Sequence, residues 1–348
     1  VSLIRADAIN IPLQDGTVDL IVTSPPYFAL RSYTDGGEHY DGQIGSEPTP
    51  QDFLEALWAV TAECARVLKP SGSIWVNLGD KYSGSDGASG APSKQNAKTR
   101  DVRQRYRGDF GGIPAKSLMG LPWRYAIGCI DQLGLILRAE VIWSKPNGLP
   151  ESVTDRVRRS HEQWFHFTKE PRYYAAVDEV REATTDDKRP GAGGGKWANG
   201  IPEVGRGAST TTDNRGRLNQ YANPLGKLPG SVWTIPSEPL KVPDHLGVDH
   251  FAAYPQEWPR RIILGWSPPG ICTRCGDGRR PVVEKARVGN GSRPTYVNLA
   301  NGSHGHKEGH ADTEATITGY ACQCPEPDAP TRPAVVLDPF SGTGTTVG

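Results

Sequence analysis

The tetrapeptide Ser24-Pro25-Pro26-Tyr27 has the residue types to hold a flat polar group. It follows Val18-Asp19-Leu20-Ile21-Val22, an apolar run of the kind that forms a strand inside a sheet. Neither proline has an N–H for a sheet ladder, so that strand must end near Thr23. What remains is a stiff segment whose carbonyls point outward and accept hydrogen bonds. The Ser24 hydroxyl adds a further oxygen, and the Tyr27 ring can lie over the face of whatever those oxygens hold. The same letters also spell a proline-stiffened turn with a core tyrosine, because Ser and Pro are common turn residues.

Three further groups of residues could do chemistry. Near the end of the chain an apolar strand, Pro333 to Asp338, leads into Pro339-Phe340-Ser341-Gly342-Thr343-Gly344. Glycines at such a bend permit a tight turn and close approach of a ligand, and a following helix would aim free N–H groups at it. The spacing is neither the GxGxxG of dinucleotide folds nor a P-loop, which ends in Gly-Lys-Ser/Thr. Second, Cys272-x-x-Cys275 and Cys322-x-Cys324 are the ligand type for a tetrahedral structural Zn2+. His304, His306 and His310 lie between the pairs as alternative ligands, and free thiols or disulfides are the other readings. Cys64 and Cys129 fall in helical patterns and read as core thiols. Third, Lys94, Lys98, Arg100, Arg103, Arg105 and Arg107 face Asp101 alone along one short stretch, and Arg156, Arg158 and Arg159 form another. Such runs grip phosphates or are plain solvated faces.

The elements that must position these groups alternate. Strands are expected at Ser2 to Asp7, Val18 to Val22, Ser73 to Leu78, Leu135 to Trp143, Glu162 to Thr168 and Pro333 to Asp338, and regular structure resumes at Ser231 to Ile235. Helices are expected from Gln51 to Leu68, stopped by Lys69-Pro70-Ser71-Gly72, from Pro122 to about Gln132, and from Pro255 to Leu264. This order favours an α/β fold, a mostly parallel sheet covered by helices, whose ligands sit outside the carboxyl ends of the strands. Thr23, Asp80 and Ser144 fall at such ends. Asp80 to Gly112 is a long polar, then basic, loop, and Thr184 to Pro229 is glycine-rich with little apolar periodicity.

The chain has 348 residues, enough for one large domain or two ordinary ones, with 39 basic and 39 acidic side chains. That balance neither supports nor excludes nucleic acid, because distribution matters more than the sum. Apolar stretches are strand-sized, and no secretory leader pattern opens the chain, so an intracellular, cytoplasmic protein with no membrane partner is expected.

Ser24-Pro25-Pro26-Tyr27 together with Asp338-Pro339-Phe340-Ser341-Gly342-Thr343-Gly344 resembles the amino-methylating DNA methyltransferases that use S-adenosylmethionine. Trp143 to Ser152, with Lys145, and His250 to Ile263 resemble further segments of that family, in order. The likeness covers about Ser2 to Pro171, Ser231 to Leu264 and the last sixteen residues. The catalytic segment precedes the cofactor segment, which resembles the circularly permuted beta arrangement. The resemblance implies a Rossmann-like sheet and a double-stranded DNA substrate. In it Ser24, Pro25, Pro26 and Tyr27 are catalytic, and Asp338, Pro339, Phe340, Ser341, Gly342, Thr343 and Gly344 bind the methionine end of the cofactor. Asp7 would serve the adenine edge, or else cap a turn; His250, Phe251 and Pro255 would wall the pocket, or else belong to an ordinary core-packed helix; Asp338 would touch the cofactor or brace its loop. Ser in the first motif position resembles the N4-cytosine members more than the N6-adenine ones. Lys145 and the basic stretch would contact DNA, and Asn214, Arg215, Arg217, Asn219 and Gln220 in the variable region would read the target, with the cysteine-bearing module as a rival reader.

The expected organisation is a catalytic part over 1–180, a variable or target-recognition region over 184–229, a return to the methyltransferase over 231–270, a possible zinc insert over 271–327 and the cofactor strand and loop over 333–348. Family members continue past the glycine loop into a helix and a further strand, so the resemblance implies that the C-terminal part is missing, with a missing segment or second chain completing the sheet. Two other functions fit the residues. One is a methyltransferase of the same sheet type acting on RNA or a small amine. The other is a non-catalytic nucleic-acid-binding protein.

Overall fold

The computed structural model describes residues 2–29, 34–35, 38–39, 42–83, 113–148, 150–183, 223–238, 254–288, 295–298, 304–307, 312–326, 329–342 and 346. The chain divides into two compact units. The first comprises Val1–Ala176, Gly230–Arg279 and Cys324–Gly348, and the second Val177–Pro229 and Arg280–Gln323.

The first unit is built on a six-stranded sheet. Its strands are β1 (Val18–Thr23), β2 (Leu68–Leu78), β3 (Ile136–Ser144), β4 (His161–Thr168), β5 (Val232–Thr234) and β6 (Val336–Leu337), in spatial order β6-β1-β2-β4-β3-β5. β1 is parallel to both β6 and β2, and β3 is parallel to β5. β4 alone is reversed against its neighbours β2 and β3. The reason is the connection. The chain leaving β3 turns back at the same end, where the Lys145 N–H donates to the Ser160 carbonyl at 2.8 Å, instead of crossing over through a helix.

Alternation along the strands sorts two cores. Ile74, Val76 and Leu78 of β2 and Phe165 and Phe167 of β4 join one apolar cluster with α1 (Pro50–Val67) and α2 (Leu121–Asp131). α1 enters on a Thr49 cap that accepts the Asp52 N–H at 3.1 Å, with Pro50 in its first turn. The intervening residues, Trp75, Trp164 and His166, pair with rings on the other face. Trp164 and Trp233 each stack on Trp258 of α3 (Glu257–Trp266) at 4.9 Å, and Trp75 meets Trp266 at 4.6 Å.

Two expectations are corrected. Ser2 to Asp7 forms no strand: Leu3 is 80% and Ile4 60% exposed, and a two-residue apolar run has little to bury. Lys69-Pro70-Ser71-Gly72 ends the helix but is no connection, because β2 begins at Leu68 directly after α1 and passes through it. The basic stretch from Lys94 to Arg107 and, of the variable region over 184–229, residues 184–222 lie outside the described residues.

In the second unit, Arg280–Val288 pairs antiparallel with Asp312–Ala321, with a register shift between Ile317 and Gly319. Thr295–Asn298 pairs antiparallel with His304–Lys307. No described helix is long and apolar enough to cross a membrane.

Candidate active site

The carboxyl end of β1 carries the tetrapeptide. Thr23 and Pro25 are buried, while Ser24, Pro26 and Tyr27 are half-buried. Phe28 pins the segment from behind: it is 1% exposed and meets Phe53 of α1 at 5.4 Å. The Ala29 N–H then donates to the Gly45 carbonyl at 2.8 Å. Gly45, at φ +94°, lies against the motif so closely that a Cβ there would stand 2.9 Å from the Tyr27 carbonyl oxygen.

The side chains of the ledge converge on the ends of β2 and β4. The Tyr27 hydroxyl lies 2.7 Å from Asn77 Oδ1 and 2.8 Å from Glu162 Oε2. Ser24 Oγ donates to the same Asn77 oxygen at 3.3 Å. The Asn77 amide is fixed from its other end, where Nδ2 donates to the Gln163 carbonyl at 3.1 Å. Lys145, at the end of β3, pairs with Glu162 Oε1 and lies 3.9 Å over the Trp143 ring. Its side chain is 20% exposed and turned onto that carboxylate. One face of the Tyr27 ring rests on Gly79, where a Cβ would come within 2.6 Å of Cε2. Asn77 and Glu162 were not expected as site residues. A polar residue at an inward position of a buried strand was the readable signal for Asn77.

The neighbouring parallel strand, β6, ends in Asp338. Its carboxylate accepts from Thr23 Oγ1 at 2.7 Å, the Phe340 N–H at 3.0 Å, Thr346 Oγ1 at 2.6 Å and the Tyr254 hydroxyl at 3.1 Å. The Tyr254 and Thr346 hydroxyls also lie against each other, so their two protons are shared among three contacts. Burial pushes the Asp338 carboxyl up, and the bonds from Thr346, Thr23, Phe340 and Tyr254 pull it back. With its acceptors taken by the chain, Asp338 braces the loop. Tyr254, just before α3, lies in the His250 to Ile263 segment that carries the resemblance; its hydroxyl ties that helix to the glycine bend. Gly342 is exposed at φ +51°, a conformation that favours glycine.

Asp80, at the end of β2, serves α2: its carboxylate accepts the Gly120 and Leu121 N–H groups at 3.0 Å each. That supplies the helix cap that Gly120 has no side chain to make. Asp7 is exposed, and its Oδ1 accepts the Ile9 N–H at 3.1 Å, so it caps a turn. Pro255 is buried next to Tyr254. Pro339 and Phe340 are half-buried and Ser341 follows them at the bend. His250, Phe251, Thr343 and Gly344 lie outside the described residues, as do Asn214, Arg215, Arg217, Asn219 and Gln220. Arg156 and Arg158 are bonded locally, to Glu151 and to the Gly148 carbonyl.

The arrangement is an oxygen-bearing ledge and an aromatic ring at the end of one strand, bonded through Thr23 to a glycine bend at the end of the next. Ligands of open α/β sheets bind outside such carboxyl ends. The exposed Gly342 leaves the backbone open to a ligand while Asp338 holds the turn. The fold is thus an α/β sheet whose candidate site lies at the carboxyl ends of its strands.

The chain belongs to the N6/N4 DNA methylase family, whose model matches residues 18–273. It is a DNA methyltransferase that uses S-adenosylmethionine. It is 41% identical over 309 residues to the Type II methyltransferase M.XycI of Xanthomonas campestris pv. cyanopsidis, covering 86% of each chain. To M.Cfr9I of Citrobacter freundii it is 33% identical over 309 residues, again covering 86% of each. Among solved structures, the PvuII DNA methyltransferase (cytosine-N4-specific) aligns at 16% identity and TM-score 0.44, over 76% of this chain and 69% of that one.

Proposed function

We propose that this chain methylates the N4 amine of a cytosine everted from double-stranded DNA, at a specific site. The observation that carries the reading is the Ser24–Asn77 bond on the ledge. Because the Ser24 proton is directed to Asn77, the hydroxyl keeps its lone pairs for an incoming N–H. With the Pro25 carbonyl it offers two acceptors to an exocyclic amine. Ser24 stands where N6-adenine members of the family usually carry Asp, which favours cytosine.

The amine of a base is a poor nucleophile, since its lone pair is conjugated into the ring. Acceptors placed to favour a pyramidal nitrogen localise that pair along one direction. S-adenosylmethionine, when bound, supplies an electrophilic methyl group on a sulfonium. Ser24 and Pro25 orient the amine toward it, and Tyr27 stacks on the base. Catalysis is then orientation and electrostatics, with no covalent bond to the enzyme, and the amine proton leaves during or after transfer. Eversion costs a few kcal/mol and one aromatic stack returns about 1–3 kcal/mol, so Tyr27 offsets a substantial part.

The catalytic segment precedes the cofactor segment along the chain, as in the permuted beta arrangement. Residues Lys94 to Arg107 would grip phosphates and the region around Asn214 to Gln220 would read the target. Likeness to Type II methyltransferases supports a role as the modification enzyme of a restriction–modification pair. The test is incubation with labelled S-adenosylmethionine and mixed-sequence duplex DNA, then nucleoside mass spectrometry. N4-methylcytosine is expected. N6-methyladenine would overturn the choice of base, and unmodified DNA with intact cofactor binding would overturn the activity.

A further inference from the structure

Outside the methyl-transfer site, the sulfurs of Cys272, Cys275, Cys322 and Cys324 all lie within 4.8 Å of one another. We propose that these four thiolates bind one Zn2+ ion, as a closed structural site separate from the chemistry of methyl transfer.

The local backbone builds the first half of the site. Ile271–Cys272 is a short strand that pairs with Thr331–Arg332, and Ile271 also bridges back to Gly278. Between them the chain makes a tight turn. The Gly276 N–H donates to the Cys272 carbonyl at 2.9 Å, and the Cys272 N–H donates to the Asp277 carbonyl at 2.9 Å. Gly276 sits at φ +79°, where a side chain would be strained, so the glycine behind the second cysteine is what lets the turn close. Thr273 is held by the Pro330 carbonyl at 2.9 Å, and Arg274 pairs with Glu326 at 3.2 Å. These bonds fix both cysteines of the turn against the segment that carries Cys324.

The donor set fits one metal class. Four sulfurs around a tetrahedral zinc at about 2.3 Å stand about 3.8 Å apart, which the observed spread accommodates. Soft thiolates select zinc over hard cations, and four of them leave no open position for substrate or water. Cys272 is fully buried while Cys275 is exposed, so the site has one wall in the core and one toward solvent. Cys64 and Cys129 cannot supply this set. Both belong to the apolar cluster of the first unit, and burial pushes their thiols up to about 12. Along the chain the metal closes the loop from Cys275 to Cys322, which restricts the unfolded ensemble much as a cross-link does.

The experiment uses the full chain purified without chelator or added metal. Elemental analysis is expected to give about one zinc per chain. Exchange with Co2+ alone as the probe is expected to give thiolate-to-cobalt charge-transfer bands and the intense d–d absorption of a tetrahedral site. Cys275→Ser and Cys324→Ser variants are each expected to lose the zinc. Should either variant fail to fold, the cobalt spectrum of the unmodified chain still decides. A folded chain that carries no metal, one whose cluster thiols are joined as disulfides, one that holds iron in zinc's place, or an octahedral oxygen-type cobalt spectrum overturns the proposal. So does full zinc content in folded serine variants.

Discussion

Tyr27 and Glu162, 135 residues apart in the chain, meet hydroxyl to carboxylate at 2.8 Å, and the same hydroxyl lies 2.7 Å from Asn77. One phenolic proton faces two acceptors, so the ring is held from both sides and its plane is set by strands β2 and β4. Lys145 completes the arrangement by neutralising the Glu162 carboxylate. The orientation of the proposed stacking ring is thus fixed by residues that need not touch the base.

Glu162→Gln is therefore expected to lower kcat by about 10- to 100-fold through misplacement of the ring, while cofactor affinity stays the same. Tyr27→Phe keeps the ring and loses only the hydroxyl, so it should fall less than Tyr27→Ala. The double variant Tyr27→Phe with Glu162→Gln should cost no more than the worse single change, because both remove one interaction. Steady-state kinetics of the parent and the four variants check this; additive losses would show that Glu162 acts apart from Tyr27.

Gly79→Ala places a methyl group 2.6 Å from Tyr27 Cε2, so the ring must move. Turnover should drop sharply with a small change in melting temperature. Unchanged kinetics would mean that the ring's position there is immaterial.

Thr23→Val removes the 2.7 Å bond that joins the catalytic strand to Asp338. A lost bond to a buried carboxyl costs about 1–3 kcal/mol. Denaturant unfolding should show a loss of that size, and calorimetric titration should show weaker S-adenosylmethionine binding, since the bend loses one of its braces.

His166 gives a pH prediction. It is buried under Trp75, lies 3.0 Å from Ser73 Oγ, and burial, helped by the charge of Arg138, pushes its pKa down to about 3 from 6.5. Between those values the unfolded chain takes up a proton that the folded chain refuses. Stability is therefore unaffected by this group above about pH 6.5 and falls as pH drops below it, by about 1.4 kcal/mol per unit. A His166→Gln variant should lose less stability than the parent between pH 6.5 and 4.5 in urea titrations, and parallel pH profiles would contradict the assignment.

Much of this was legible in the sequence, for identifiable reasons. The apolar runs at β1 and β4 and the spacing of Phe53, Leu57 and Cys64 on α1 announce themselves because burial selects residue type. The two prolines mark the ledge because they cannot pair. What was hidden depends on partners distant in the chain. The reversal of β4 follows from the connection over 145–160, which returns to the same end of the sheet without a crossover helix. Glu162 read as the start of a strand and Lys145 as a DNA contact, since only the fold brings them to Tyr27. Asp80 and Asp7 fell at strand ends, or at an expected one, where an acid could serve a ligand, yet both spend their carboxylates on backbone N–H groups. Leu3 and Ile4 had the letters of a strand with too little apolar length to form one.

The most direct test of the ledge is photocrosslinking. Duplex DNA carrying 5-iododeoxycytidine in place of deoxycytidine would be irradiated with the enzyme and S-adenosylhomocysteine, and the adduct mapped by peptide mass spectrometry. Stacking of an everted cytosine predicts the principal adduct on Tyr27. Efficient crosslinking at other residues with none at Tyr27 would contradict the account.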